Sequence, residues 1–348
     1  MRIIFKFCGL LLICCISTSC IITQSVPIDL LEPGKVTLPP SVRKAAIIAR
    51  NFKFSIDTLG AYYKQDFRFR KGSNKENQLI DSLSVTKSLD GIRKALLESG
   101  RFDEVYVYPF DAIKPYVAEK ELPLTSEFIQ SVCRESQTDA VISLEMLSFF
   151  YSRHKETSGQ NIPAGANVKL TAIWAVYTPK SDGPIDRYTH AETMRWKEGK
   201  LENDGPYYKL PERKEAISIA CNEAAKNYSK RIVPHWTEST RMIIGNNNPE
   251  FDKAVSYALK NKWEAAGAIW LNYSKSPNNR IAGISALNYA VAQEMLGELE
   301  LALDWSDKSV KLLRGGEGGK IARDYAAVLY QRKLKATNLN ETLKIRPK

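Results

Sequence analysis

From Arg43 onward the chain alternates short apolar runs with amphipathic stretches. Ala45–Ala49 (AAIIA) is a continuous apolar run of the kind a buried strand carries. Asp66–Arg70 (DFRFR) alternates Phe with Arg and reads as an edge strand or a loop. Leu89, Ile92 and Leu96 recur at helical spacing, and Gly100 sits where a helix C′ glycine belongs, ahead of a strand at Glu104–Tyr108 (EVYVY). The same order then recurs. Thr125 or Ser126 can cap a helix carrying Phe128, Ile129, Val132 and Cys133, and Asp139–Leu147 (DAVISLEML) is a strong strand signal. Val168, Leu170, Ala172, Trp174 and Val176 alternate along a further strand, which a Pro179–Pro184 loop connects to the alternating segment Ile185–Trp196. These two segments are predicted to pair as a long hairpin. A helix from about Glu212 to His235 closes the unit, with Ala216, Ile219, Ala220, Glu223, Ala224, Tyr228 and Ile232 as its buried stripe. Gly245-Asn246-Asn247-Asn248-Pro249 punctuates the chain and marks a domain boundary.

Beyond that boundary the pattern repeats without a gap at a period of 36 residues: Asp252-Lys253-Ala254-Val255 aligns with Asn288-Tyr289-Ala290-Val291 and with Asp324-Tyr325-Ala326-Ala327. Asn261-Lys262-Trp263-Glu264-Ala265-Ala266 aligns with Gly297-Glu298-Leu299-Glu300-Leu301-Ala302. This resembles the tetratricopeptide repeat. The resemblance gives Ala254, Ala290 and Ala326 the small-residue place of the first helix, Asn261 and Gly297 the turn, and Ala266 and Ala302 the small place of the second helix. The third unit has Lys333 and Asn338 where a turn glycine and an alanine should stand, which predicts a lone capping helix and about two and a half repeats.

The first twenty residues hold four of the six cysteines. Arg2 and Lys6 precede an apolar run, Phe7–Ile16, of about half the length a membrane-spanning helix needs, as in a signal peptide. Ser17-Thr18-Ser19-Cys20 then resembles a bacterial lipobox, with Ser17 where Leu is usual. That resemblance implies cleavage before Cys20 and its lipidation, giving several acyl chains to hold the chain on a membrane. Lipoproteins exported to the surface of Bacteroidota carry an acidic cluster after that cysteine, and by comparison with them its absence here implies the periplasmic side, with the cell surface as the other placement. Cys133 and Cys221 sit in helical patterns and read as buried free thiols.

Composition excludes a disordered chain and a disulfide-stapled miniprotein: 44% of the residues are hydrophobic and 26% charged. The 50 basic and 39 acidic residues give a net charge of +11, two of which leave with residues 1–19. No Lys/Arg block is present, so no nucleic-acid partner is expected. Catalytic and metal motifs are missing as well. His154, His190 and His235 lie outside any short ligand spacing, and no G-x-S-x-G or H-E-x-x-H occurs. Gly315-Gly316-Glu317-Gly318-Gly319-Lys320 has Arg314 and Ile321 where a phosphate-binding loop needs Gly and Ser or Thr, and reads as an inter-repeat linker. No cofactor and no metal site is expected.

Taken with LPPSVRKAAIIAR and SQTDAVISLEML, the order of lipobox, α/β domain and helical repeats looks like an uncharacterised lipoprotein family of Bacteroidales, among the Bacteroidota. The helix and "TDAVI" strand are also similar to the α/β domains of outer-membrane lipoproteins of the curli-secretion and penicillin-binding-protein-activator type. The expected fold is α+β: signal peptide 1–19, lipidated tether 20–41 becoming structured near Val36, α/β sandwich-type domain 42–245, helical repeats 246–348. The expected function is a non-enzymatic outer-membrane lipoprotein, an adaptor or scaffold binding an envelope protein or peptide. Val255, Ala258, Leu259, Val291, Glu294 and Met295 face the expected groove, the other reading being that they pack against neighbouring helices. The alternative function is an enzyme or a small-ligand or glycan receptor, with Trp174, Trp196, His190 and Glu192 on the hairpin.

Overall fold

The computed structural model describes residues 22–50, 62–65, 68–109, 123–155, 164–200, 207–246 and 248–343. The signal peptide and Cys20 lie outside the described residues. In chain order the elements are β1 (Thr23–Glu32), β2 (Lys44–Ala49), β3 (Tyr62–Gln65), β4 (Arg68–Lys71), α1 (Asn74–Glu98), β5 (Glu104–Val107), α2 (Ser126–Ser136), β6 (Ala140–His154), β7 (Gly165–Tyr177) and β8 (Asp186–Lys197). The two-residue strands β9 (Gly199–Lys200) and β10 (Tyr207–Tyr208) follow, then α3 (Arg213–Ser229) and β11 (His235–Ile244). Five helices complete the described residues: α4 (Pro249–Leu259), α5 (Trp263–Tyr273), α6 (Asn279–Met295), α7 (Leu299–Leu312) and α8 (Gly316–Leu343). The fold is α+β, as expected, and divides into two compact units: Pro33–His235, and the described part of 1–32 together with Trp236–Asn340.

In the first unit β6 is the spine of a seven-stranded sheet. One edge of its N-terminal half pairs in parallel with β2, which pairs in parallel with β5. Near its C-terminal end, Ser152 and Arg153 pair in parallel with β3, which carries β4 as an antiparallel edge. The other edge of β6 pairs along its length with β7, and β7 with β8, so the predicted hairpin is present. AAIIA is apolar throughout because β2 is covered on both faces. Ala45, Ile47 and Ala49 face the core under α1 and α3, whereas Ala46 and Ile48 face α2 through Ile129, Val132 and Cys133. Asp139 ties the starts of β2 and β6 together, its carboxylate accepting the N–H groups of Arg43 and Lys44, each at 2.8 Å. Thr125 caps α2 by accepting from the Phe128 N–H, and Gly100, at φ +69°, follows α1 as expected.

The second unit packs the β1–β11 pair and five helices around one core, which includes Val26, Ile243, Phe251, Trp270, Leu287, Val291 and Leu329. Asn288 of α6 clamps β11, its side chain accepting the Ile244 N–H at 2.9 Å and donating to the Ile244 carbonyl at 2.8 Å. The positive φ values at Asn261 (56°) and Gly297 (88°) fall at the two predicted turns, 36 residues apart. Ala254, Ala290, Ala266 and Ala302 are fully buried where helices meet. The third segment of the 36-residue pattern lies in one uninterrupted helix, α8.

Four expectations need correction. The segment expected as a tether contains β1, in which Val26 and Ile28 are buried between exposed Ser25, Pro27 and Asp29, an alternation that prolines had obscured. Helix α3 ends at Ser229, six residues early, because Ser229 and Tyr228 carbonyls close a turn before Pro234 and the chain continues as β11. Of its stripe, Ala216, Ala220, Ala224, Tyr228 and Ile232 are buried as expected, and Ile217, Cys221 and Ala225 widen it, whereas Ile219 is exposed and Glu223 half-buried. The glycine-rich stretch is the first turn of α8 rather than a linker, and a Cβ at Gly319 would collide with the Leu313 carbonyl.

Candidate functional site

The six side chains expected to face a groove on the helical unit divide by burial. Val255, Ala258, Val291 and Glu294 are buried, and Met295 is half-buried against the same core. Leu259 is 52% exposed. Packing against neighbouring helices is therefore what five of the six do. On the helices of this unit the exposed large apolar side chains include Leu259, Leu296 and Leu301, with Val328, Tyr330 and Leu334 along α8; Trp236 and Met242 of β11 are exposed as well.

Glu294 has a specific reason to be inside. Its side chain is 0% exposed and receives the Arg241 guanidinium in a two-pronged contact, Nε to Oε2 at 2.7 Å and Nη2 to Oε1 at 2.8 Å. The Tyr325 hydroxyl donates at 2.8 Å and Arg332 at 2.5 Å. One carboxylate thus joins β11, α6 and α8. Burial alone would push this carboxyl up, but the Arg241 hydrogen bonds and the charges of Arg241 and Arg332 together hold it below its ordinary value. Tyr325 goes the other way, pushed well up by burial and by the adjacent carboxylate. Nothing local in the sequence links these four residues, which come from segments 30 to 90 positions apart; only the chance of a buried acid at a helix's inward face was visible.

On the hairpin, Tyr188, His190, Glu192 and Trp196 share the face of β8 turned toward α3. Trp174 is buried, its ring stacked on Tyr228 at 5.1 Å between centroids. Trp196 packs half-buried against the same core. His190 and Glu192 contact one another at 3.1 Å, and Asn227 donates to both Glu192 oxygens at 3.0 and 3.2 Å. Arg231 pairs with Asp186 at 2.6 Å and lies 4.2 Å over the Tyr188 ring. The aromatic faces and the acid that a sugar site would need are thus engaged with α3 and the chain just after it.

A second buried charge group went unforeseen. Arg50, just past β2, pairs with Glu145, the residue at the register shift of β6, and the Tyr177 hydroxyl donates to the same carboxylate at 3.3 Å. Burial, chiefly, and the Glu145 charge push the Tyr177 hydroxyl up to about 12. The signal available beforehand was a lone acid inside an apolar strand (ISLEML). Cys133 and Cys221 are buried free thiols; burial pushes Cys221 up to about 12 against hydrogen bonds from Ser84 and Ser88. Among the described residues no His, Cys, Asp and Glu group is placed to hold a metal, and no helix is long and apolar enough to cross a membrane.

The arrangement defines an α+β protein in which a mixed-sheet unit is followed by a run of helices. The family model "Domain of unknown function (DUF8603)" matches residues 42–243, more than half of the chain, and the chain belongs to that family. A second model, "Domain of unknown function (DUF6340)", matches residues 252–336, from α4 into α8. No curated protein matches. Among solved structures, a point-substituted form of the PelC dodecamer from Paraburkholderia phytofirmans is similar at 10% identity and a TM-score of 0.25, covering 60% of this chain and 98% of that chain. The PelC dodecamer from the same organism in another crystal form gives 10% identity and 0.24, covering 61% and 100%. TM-scores of this size do not define a shared fold.

Proposed function

We propose that the protein is a non-enzymatic, membrane-tethered adaptor whose helices bind an envelope protein or peptide. The observation that carries this reading is the repetition of a helix-turn-helix at 36 residues, with left-handed turns at Asn261 and Gly297 and buried alanines at matching positions. Stacked helix pairs of tetratricopeptide type offer an extended surface to a partner segment. With Val255, Ala258, Val291 and Glu294 occupied in the core, the exposed positions left for a partner are Leu259 on α4 and, one turn apart on one side of α8, Tyr330 and Leu334.

Lipidation at Cys20 supplies the tether, and the protein belongs to a Bacteroidales-type lipoprotein family, held on the outer membrane and facing the periplasm. Two measurements test this reading. A clickable fatty acid labels the wild type and leaves Cys20→Ala unlabelled; equal labelling of both contradicts the tether. Affinity capture from crosslinked envelopes recovers one specific partner that is lost from a Leu259→Asp/Leu334→Asp variant; recovery of nothing specific, or of the same proteins from both forms, contradicts the adaptor.

A further inference from the structure

Strand β1 leaves almost no slack between Cys20 and the helical unit. Gly245, just past β11, donates its N–H to the Ile22 carbonyl at 2.8 Å, so the chain is bonded into this unit from Ile22 onward. Cys20 precedes Ile22 by two positions, which a trans chain spans in at most about 7 Å. The other end of β1 is held as well, by the Glu32–Lys335 ion pair at 2.6 Å.

The contacts of β11 with α6 fix the direction of this strand pair within the unit. Arg241 meets Glu294 and Ile244 meets Asn288, so β11 runs antiparallel to α6, and the start of β1 points toward the first residue of that helix, Asn279. From Asn288 back to Asn279 the helix extends about 13 Å at its rise of 1.5 Å per residue, farther than Cys20 can lead Ile22. Two helix connections lie at the same end. The Tyr273 hydroxyl donates to the Asn248 side chain at 3.2 Å, bringing the end of α5 to the start of α4. Ser309 donates to the Gly283 carbonyl at 2.8 Å, and a Cβ on Gly283 would collide with Leu313, so the α7–α8 connection sits on the first turns of α6. Exposed Pro277 and Arg314 belong to these two connections, whereas Leu259 and the turns at Asn261 and Gly297 fall at the opposite end.

We propose that the α5–α6 and α7–α8 connections rest on the lipid headgroups of the membrane that holds Cys20, which sets Leu259 and Leu334 at the end away from the bilayer. This rests on lipidation at Cys20. Covalent reach selects lipid as the occupant: acyl chains entering the bilayer at Cys20 bring its surface to that residue, and connections extending at least as far as Cys20 meet the headgroups. The 17 residues of α6 separate the two ends of the unit by about 25 Å, so the partner of the adaptor is met in the aqueous space rather than at the lipid.

The test uses the full lipidated chain in vesicles of phosphatidylethanolamine and phosphatidylglycerol whose headgroups carry a short-range quencher. A fluorophore is attached at Arg314→Cys or Pro277→Cys on one end and at Lys260→Cys or Glu298→Cys on the other; Cys133 and Cys221 are buried and stay unlabelled. Quenching at positions 314 and 277 exceeds that at 260 and 298 about threefold or more, as their separation along the helices requires. A Gly-Ser insertion of about ten residues between Ile21 and Ile22 adds flexible reach, keeps the chain on the vesicles and abolishes the difference. Equal quenching at both ends, or stronger quenching at 260 and 298, overturns the proposal, as does a difference unchanged by the insertion. Weak quenching at every position of an attached chain assigns that end to a protein surface or a second copy and overturns it too. A wild-type chain that neither takes up fatty acid nor floats with vesicles fails the lipidation reading and takes the proposal with it, a result distinct from every outcome of an attached chain.

Discussion

Glu294 is the residue on which the helical unit turns. Its carboxylate is fully desolvated but receives Arg241, Arg332 and the Tyr325 hydroxyl, so the charge is favoured over the neutral acid despite its burial. Glu294→Gln keeps the shape and removes the countercharge of a buried guanidinium. It is expected to cost about 3–5 kcal/mol in chemical denaturation at neutral pH. The folded carboxyl titrates below its unfolded value, so this contribution is present above the ordinary carboxylate range and is lost as the pH falls through the lower folded value. The stability gap between wild type and Glu294→Gln therefore narrows on acidification below about pH 4. A gap of constant size on acidification would contradict the assignment. Trp174 makes the complementary case in the sheet unit: at 1% exposure and stacked on Tyr228, it is a core residue, and Trp174→Ala is expected to cost about 3–5 kcal/mol by thermal or denaturant unfolding. The inward side of Trp174 was legible in the alternation of its strand. The partners of Glu294 were not, because ion pairing between distant segments leaves no periodic trace.

Among the elements, close approaches of backbone decide which positions tolerate change. Gly91 of α1 lies against the Asn222 carbonyl of α3, where a Cβ would collide with backbone that cannot move aside. Gly91→Ala is expected to separate the two helices and cost about 1–3 kcal/mol, or more, in unfolding. Gly297 differs, having open space around it but a φ of +88°, so Gly297→Ala is disfavoured by conformation alone, at about 1–2 kcal/mol. Asn261→Gly at the equivalent turn is expected to be neutral or mildly stabilising, since Asn261 already holds a φ of 56°. Equal costs for these two changes would argue against equivalent turns. The strands β2, β5, β6, β7 and β8 were readable because buried strands impose continuous or period-two apolarity. The strand β1 was masked by its proline, and β11 by a helical pattern that ran on past Ser229 until Pro234.

Over the whole molecule, the order of a mixed-sheet unit and then helices could be read from the change of apolar period near residue 245. The membership of β1 and β11 in the helical unit could not, since it depends on a pairing between strands some 210 residues apart in sequence. The candidate site was legible only as a region. Periodicity located the run of helices, yet it cannot separate a groove-facing position from one that meets the next helix, and Val255, Ala258, Val291 and Glu294 all meet the next helix or strand. The central claim is that the exposed apolar positions of the helical unit dock a partner in the envelope. It is tested most directly by placing a photo-crosslinking side chain at Leu334, which is 61% exposed, and at exposed polar Lys275 as the control, in the full tethered chain. The adaptor account predicts one discrete adduct from position 334, of the same identity as that from position 259, and none from position 275. No adduct at 334 and 259, or the same spread of adducts at all three positions, would contradict it.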